Sequence, residues 1–227
     1  MFLGFKRGMR KWPIPPTFKD VLMPPLENRT LPVLEAVPAL PITCKPIKYQ
    51  RRPYDERGPE LIHNRLMYNQ YGIIALGGGK LTIEKIDRIR NVINKYLDTK
   101  KAFAVWRIDP PWKSATKKGV GKRMGGGKLS THHYYTPVKS GRILVEVGGM
   151  IEFEEVYYFL NSIAVNMPMP CAAISSEIIN DLAEQEKAIR EKNVNPINYK
   201  RCIQKNILNC RYDMAWDNDD LWFGKYL

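Results

Sequence analysis

The chain contains one stretch, residues 110–145, that is too cationic and too rich in glycine to form a folded core. It carries eight basic residues and no Asp or Glu. Its middle reads Lys118-Gly-Val-Gly-Lys-Arg-Met-Gly-Gly-Gly-Lys128. Glycine has no side chain to pack and loses much conformational freedom on folding. Such a run does bring backbone N–H groups and cations close to a bulky anion, and phosphate is the leading candidate.

Charge is distributed unevenly along the 227 residues. The formal net charge of +13 predicts an anionic partner, either nucleic acid or a membrane surface. Residues 110–145 contribute +8, whereas residues 146–227 carry eight basic and thirteen acidic residues, a net of −5. No apolar run approaches the ~18 residues that a membrane span requires, so we expect no such span.

Residues 1–64 are predicted to form an extended, basic, proline-rich arm. Eleven prolines fall between Pro13 and Pro59, and each removes a backbone donor and restricts its predecessor. Such an arm becomes ordered when it lies on a large partner. The segment before Asp20 is basic, aromatic and free of acid. It is compatible with a mitochondrial targeting segment or with an arm that lies on RNA.

Residues 65–175 are predicted to form an α+β body. Helical spacing of apolar residues predicts helices over 83–97 and 152–166. Short apolar or alternating runs predict strands over 71–76, 103–108, 132–138, 142–147 and 171–174. The strands at 132–138 and 142–147 flank Ser140-Gly141 and are expected to pair as an antiparallel hairpin. The result is a two-layer sandwich, two helices on a mostly antiparallel sheet, from which the basic loop 110–131 leaves at one end.

Residues 176–227 are predicted to form an acidic, aromatic extension, helical at first and then irregular. A third helix is expected over Ser176–Lys192. The last residues interleave large aromatic side chains with Asp, a combination that does not favour contact with phosphate. We expect either a surface for basic protein neighbours or a strap packed on the protein's own body.

The glycine–lysine sequences raise the question of nucleotide binding. A P-loop requires Gly, four residues, then Gly-Lys-Ser/Thr. Leu129 follows Gly127-Lys128 and Leu81 follows Gly79-Lys80, so the hydroxyl is missing in both. The dinucleotide-binding spacing also fails, because Met124 stands at its third glycine position. We expect no nucleotide-hydrolysing enzyme and no cofactor.

The cysteines and histidines indicate neither a metal site nor a catalytic centre. The four cysteines are scattered without a CxxC pair and are expected to be reduced thiols in an intracellular compartment. His132 and His133 are neighbours on a strand, so we expect opposite faces, one side chain buried and the other exposed to RNA. Trp112 is expected either to pack or to stack on a base.

Four segments follow the motif order of one known family: Tyr71–Thr82, 105–108, Lys122–Lys128 and 137–146. They resemble large ribosomal subunit protein sixteen, and its mitochondrial branch in particular. The third segment is similar to the family's Val-Arg-Met-Gly-Lys-Gly-Lys-Gly loop and is the most specific of the four. The resemblance covers about residues 65–175. Gly126 stands where the family has lysine, and the arm and acidic extension have no match in the bacterial form.

The resemblance implies a structural constituent of the mitochondrial large ribosomal subunit that supports translation. It would bind large-subunit rRNA near the peptidyl transferase centre, with the loop at Arg123 reaching toward A-site tRNA. The acidic extension would contact neighbouring ribosomal proteins. No catalytic residue or metal is implied, because the chemistry belongs to the RNA.

The charge pattern and the resemblance together predict which residues bind RNA. They are Lys80, Lys113, Lys117, Lys118, Lys122, Arg123, Met124, Gly125, Gly126, Gly127, Lys128, Lys139, Arg142, Arg51 and Arg52. Two rival functions are an RNA-binding enzyme, which needs carboxylates near the loop, and a basic peripheral membrane protein, which needs an amphipathic cationic helix.

Overall fold

The structure, a computed structural model, describes residues 18, 20–39, 44, 49, 53–127, 129–213, 219–222 and 226. Seven strands and five α-helices follow one another in these residues. They are β1 (Tyr71–Ala75), β2 (Gly79–Thr82), α1 (Ile83–Tyr96), β3 (Ala102–Trp106), β4 (Lys113–Thr116), β5 (Thr131–Val138), β6 (Ile143–Gly149), α2 (Phe153–Val165), β7 (Cys171–Ser175), α3 (Ser176–Lys192), α4 (Tyr199–Gln204) and α5 (Asp219–Trp222). The predicted α+β class is confirmed.

The strands form two antiparallel sheets where one was expected. A four-stranded sheet has the order β3-β6-β1-β7, and a three-stranded sheet has the order β2-β5-β4. The predicted hairpin of β5 with β6 was wrong, because the two strands lie in different sheets. A tight turn does join them, with Gly141 at φ +87°. Both edges of β6 are taken by β1 and β3, so β5 pairs elsewhere.

The main core lies between the four-stranded sheet and helices α1 and α2. The stripe predicted for α1 is buried at Ile86, Ile89 and Ile93. Helix α2 adds Phe159 and Leu160. Burying an aliphatic or aromatic side chain of this size contributes about 1.5–3 kcal/mol. These helices therefore fix the sheet from which the other elements project.

Strands β2 and β4 were not predicted. Residues 113–116 were expected within the basic loop, and no strand was expected over residues 79–82. Each strand has only four residues with little apolar content, so neither shows a clear local pattern. Their pairing with β5 on either side defines them. The part of the basic loop outside strands is therefore shorter, residues 117–130.

A first part of the predicted arm, residues 24–34, packs on the body. Leu31 is 2% exposed and belongs to the main core. Its N–H donates to Asn94 Oδ1 at 3.0 Å, and its carbonyl accepts from Asn94 Nδ2 at 3.1 Å. The Ala104 N–H of edge strand β3 donates to the Arg29 carbonyl at 2.9 Å. This segment therefore covers the free edge of the four-stranded sheet.

A second part of the arm, residues 53–64, also lies against the body. The Ile143 N–H of β6 donates to the His63 carbonyl at 3.0 Å. A Cβ at Gly78 would lie 1.9 Å from the Glu56 carbonyl oxygen, so only glycine allows this approach. The boundary between arm and body at residue 64 stays a prediction. Both of these arm segments contact the body.

The C-terminal extension begins on the body and returns to it. Helix α3 has the predicted bounds and is capped by Ser175, whose hydroxyl accepts from the Ile178 N–H at 3.2 Å. Ile179 in its first turn packs against a second apolar cluster under the sheet. Trp222 of α5 lies beside Gly58, with Nε1 3.1 Å from the position of a Cβ there. Of the two expectations for the extension, a strap packed on the protein's own body therefore fits α5. No residue of α3 is buried.

Leu31→Ala is expected to lower the free energy of unfolding by about 2–5 kcal/mol, because it removes a buried side chain and leaves a cavity. Urea unfolding of the full chain measures this. Val33→Ala is the control, since Val33 is 67% exposed, and should change the value by less than about 0.5 kcal/mol. Equal effects of the two substitutions would show that residues 24–34 do not pack as described.

Candidate nucleic-acid interface

The basic loop, residues 117–130, joins β4 to β5 and stands clear of the body. Residues 117–127 are all exposed. Gly121, Gly125 and Gly127 have φ values of +80°, +98° and +77°, a region that residues with a side chain rarely adopt. A Cβ at any of these three would meet no described atom within 4 Å. The glycines therefore set the path of the backbone and leave space around it.

The loop carries cations without a described carboxylate partner. None of the ion pairs among the described residues involves Lys117, Lys118, Lys122 or Arg123. The last three side chains line a concavity of about 400 Å³ together with Met124, Leu129 and the three glycines 125–127. Lys128 falls outside the described residues, as do Arg51 and Arg52. The structure thus brings together the central members of the predicted RNA-binding set.

Two other predicted RNA-binding lysines are paired with the acidic segment, residues 55–60. Lys113 is 2% exposed and forms an ion pair with Asp55. Lys80 is 42% exposed, and its Nζ lies 3.7 Å from Glu56 Oε2. Both ammonium groups also lie near the Tyr135 ring, at 5.9 and 5.4 Å from its centroid. The acidic segment is therefore attached to the three-stranded sheet through ion pairs with Lys113 of β4 and Lys80 of β2.

The remaining two predicted cations are engaged as well. Arg142 is nearly buried, with guanidinium nitrogens 3.0 Å from Asp109 Oδ2 and 3.8 Å from Glu60 Oε2. Lys139 Nζ lies 4.4 Å above the centre of the Tyr54 ring, a cation–π contact. Removing one partner of a buried pair leaves an uncompensated charge. We therefore assign Lys113 and Arg142 to the fold and leave them out of the proposed RNA contacts.

Sequence reasoning also missed a carboxylate inside the four-stranded sheet. Glu146 is fully buried, its Oε1 accepts from the Tyr68 N–H at 2.6 Å, and its Oε2 lies 3.7 Å from Arg107 Nε. An acid in a strand that is otherwise apolar is the signal that could have indicated such a pair. The buried charged side chains of the body thus lie in ion pairs, whereas the cations of the loop have no described carboxylate partner.

The two histidines differ from expectation. Both side chains are exposed, and their Nδ1 atoms lie 2.9 Å apart. The prediction of opposite faces with one ring buried was wrong. Ala115 pairs with His133 and Thr116 pairs with Thr131, which leaves His132 as an extra residue in β5. Such a β-bulge breaks the alternation of side chains along a strand.

Trp112 and Cys171 are packed side chains. The Trp112 ring lies edge-on to Tyr49, with centroids 4.9 Å apart, which favours packing over stacking on a base. Burial raises the pKa of the Cys171 thiol to about 12, so the reactive thiolate is disfavoured at neutral pH. The four cysteines are free thiols, as expected.

The described part of the chain offers neither a metal cluster nor a membrane-spanning helix. Within it, no cluster of three or more His, Cys, Asp or Glu side chains is placed to hold a metal ion. No helix in the same residues has the length and apolar character needed to cross a membrane.

Comparison with known proteins agrees with this geometry. The family model described as ribosomal protein L16p/L10e matches residues 44–174, which include the acidic segment, both core helices and the basic loop. The chain belongs to this family. Large ribosomal subunit protein uL16 of Levilactobacillus brevis, a bacterium, is 33% identical over 119 residues, which are 52% of this chain and 81% of that protein.

Membership of the L16p/L10e family confirms the resemblance. The protein is a structural, non-enzymatic constituent of the large ribosomal subunit and takes part in translation. The rival interpretation as an RNA-binding enzyme is set aside by this membership. Helices α3 to α5 lie beyond the family match, which ends at residue 174.

Lys113→Met is expected to lower the free energy of unfolding by about 1–3 kcal/mol, because Asp55 loses its partner in a partly buried place. Lys122→Met is the matched control on the exposed loop and should change stability by less than about 0.5 kcal/mol. Urea unfolding of both full-length variants decides the matter. If neither substitution changes the free energy of unfolding, Lys113 does not stabilise the fold through its ion pair.

Proposed function

We propose that the protein binds large-subunit rRNA mainly through the basic loop. The observation that carries this proposal is that Lys117, Lys118, Lys122 and Arg123 are exposed and unpaired among the described residues, while the cations nearer the body are engaged. Cations at such a surface bind phosphate with release of counterions. The glycines beside them let backbone N–H groups approach the same phosphates.

The tip of the loop is proposed to reach toward A-site tRNA near the peptidyl transferase centre. Its support is the resemblance of Lys122–Lys128 to the family loop and the exposure of the tip, where Met124 is 90% exposed. An apolar side chain among cations contacts bases or ribose while its neighbours contact phosphate. The cations of the loop, Lys122 and Arg123 included, are proposed to hold rRNA, and the exposed tip around Met124 is proposed to meet tRNA.

The ribosome in question is proposed to be mitochondrial. The basic, acid-free segment before Asp20 and the resemblance to the mitochondrial branch support this assignment. Residues 1–43 and 175–227 lie outside the family match, and the resemblance implies that the bacterial form lacks such extensions. Co-sedimentation of the native protein with mitochondrial large subunits in a magnesium-containing gradient tests it, and exclusive recovery with another ribosome would overturn it.

The acidic extension is proposed to contact a basic ribosomal protein through α3. Leu182 and Ile189 are 56% and 67% exposed on this helix. Asp181 precedes Leu182, Glu186 lies between the two apolar residues and pairs with Arg190, and residues 146–227 as a whole have a net charge of −5. An apolar stripe edged by carboxylates is complementary to a basic protein surface and unfavourable beside phosphate.

The loop proposal predicts a specific salt dependence. Six to ten phosphate contacts would reduce the affinity for transcribed large-subunit rRNA by roughly 10³–10⁵ between 50 and 200 mM salt. Lys122→Ala with Arg123→Ala is expected to lower the slope of log affinity against log salt by about 2, because two phosphate contacts are lost. Filter binding of the full chain gives the slope.

Lys187→Ala with Lys192→Ala is the control for this experiment, since it removes the same charge from α3. It should leave the slope unchanged. An affinity that hardly responds to salt would contradict the proposal. So would equal slopes for the two double variants. Thermal unfolding of both must match the parent, because loop residues and exposed helix residues add little to the core.

The α3 proposal predicts a defect in assembly alone. Leu182→Ser with Ile189→Ser is expected to reduce incorporation into large subunits, measured by gradient sedimentation, without a change in unfolding or in rRNA affinity. The control is Leu22→Ser with Val33→Ser, which changes apolar residues that are 81% and 67% exposed on the arm. Normal incorporation of the α3 variant would exclude α3 as a contact.

A further inference from the structure

Strand pairing sorts the side chains of the three-stranded sheet onto two faces. Residues directly opposite each other in an antiparallel pair share a face. Thr82 and Lys113 both lie opposite Tyr135, and Lys80 is two residues before Thr82 on the same strand. These side chains therefore share one face, the outer face. Leu81 points the other way, into the main core.

A cavity of about 460 Å³ lies on the outer face. This volume falls in the range of about 300–1,000 Å³ that is typical of small-ligand sites. The side chains with polar atoms that line it are Lys80, Lys113, Lys117, His133, Thr82, Ser114, Thr116, Tyr49 and Tyr135. Among the described residues, no Asp or Glu lines the cavity. Its walls are therefore suited to an anion that also needs hydrogen-bond donors.

The carboxylates of the acidic segment contact the lysines of the wall but do not line the cavity. Asp55 and Glu56 pair with Lys113 and Lys80, as described above, but neither carboxylate lines the cavity. Lys117 at the rim is exposed and takes part in none of the ion pairs described. A ligand phosphate would therefore meet the charge of Lys117 without displacing a carboxylate.

Two uncharged groups of the wall are not required by the fold. Thr82 is the N-cap residue of α1, yet its side chain makes no capping hydrogen bond. His133 is exposed, although most of β5 after it is buried. A hydroxyl can donate to a phosphate oxygen, and an imidazole ring can stack on a base. These two residues therefore offer a test that leaves the charge of the protein unchanged.

We propose that the cavity on the outer face binds one nucleotide of an RNA strand. Lys117 would bind its phosphate, Thr82 would donate a hydrogen bond to it, and His133 would contact the base. Lys117 is also the first residue of the basic loop, so the cavity and the loop form one continuous surface. The inference rests on the proposed RNA binding and adds a second, separate point of contact.

The test uses the full chain and a labelled single-stranded oligouridylate of about ten nucleotides, followed by fluorescence anisotropy. Thr82→Val with His133→Ala is expected to weaken binding about tenfold without a change in the salt slope, because no charge is removed. The matched control is Thr30→Val with His63→Ala, the same substitutions at positions that do not line the cavity. It should bind as the parent does.

The outcomes separate this inference from the proposed function. Parent-like binding of the Thr82/His133 variant, together with weak binding of the Lys122/Arg123 variant, would overturn the cavity and leave the loop proposal standing. A parent chain that binds no RNA would overturn both. Free uridine monophosphate that binds as tightly as the oligomer would assign the cavity to a free nucleotide and overturn its assignment to RNA.

One variant guards against a folding defect. His133 is exposed, so His133→Ala alone should unfold as the parent does. It is expected to weaken oligouridylate binding about threefold. Parent-like affinity of this single variant would count against a base contact at His133 and so against the proposal.

Discussion

Three carboxylates of the acidic segment each lie against a cation of the body. The pairs are Asp55 with Lys113, Glu56 with Lys80 and Glu60 with Arg142. Taking an ion out of water costs several kcal/mol unless a partner of opposite charge goes with it. A body with this excess of lysine and arginine therefore needs carboxylates from a distant part of the chain. These pairs attach the arm and decide which cations remain for an external anion.

The ion pairs of the acidic segment also determine which cations are available to bind RNA. Lys117, Lys118, Lys122 and Arg123 of the loop take part in no ion pair among the described residues, and the glycines beside them keep the backbone clear of the body. The negative charge is concentrated in the C-terminal third of the chain, residues 146–227. The phosphates of RNA repel carboxylates, so we propose that the loop and the outer face of the three-stranded sheet meet RNA and that α3 meets a basic protein. The family membership supplies the setting, the large ribosomal subunit.

Sequence reasoning succeeded where the signal is local. Helix α3 has the predicted bounds, and the apolar stripe of α1 is buried as expected, because helical spacing repeats over several turns. It failed where contacts between segments that are distant in the sequence determine the structure. The partner of Lys113 lies 58 positions away, so this lysine looked like one more loop cation. Strands β2 and β4 are short and polar and depend on β5, and the bulge at His132 depends on the register of that pairing.

We propose that the cations of the loop contact RNA in the assembled subunit and that α3 does not. Ultraviolet cross-linking of native large subunits, followed by mass spectrometry of the RNA-linked peptides, measures these contacts. We expect cross-links within residues 117–130 and none within Ser176–Lys192. Cross-links confined to α3, with a loop free of RNA, would contradict the proposal.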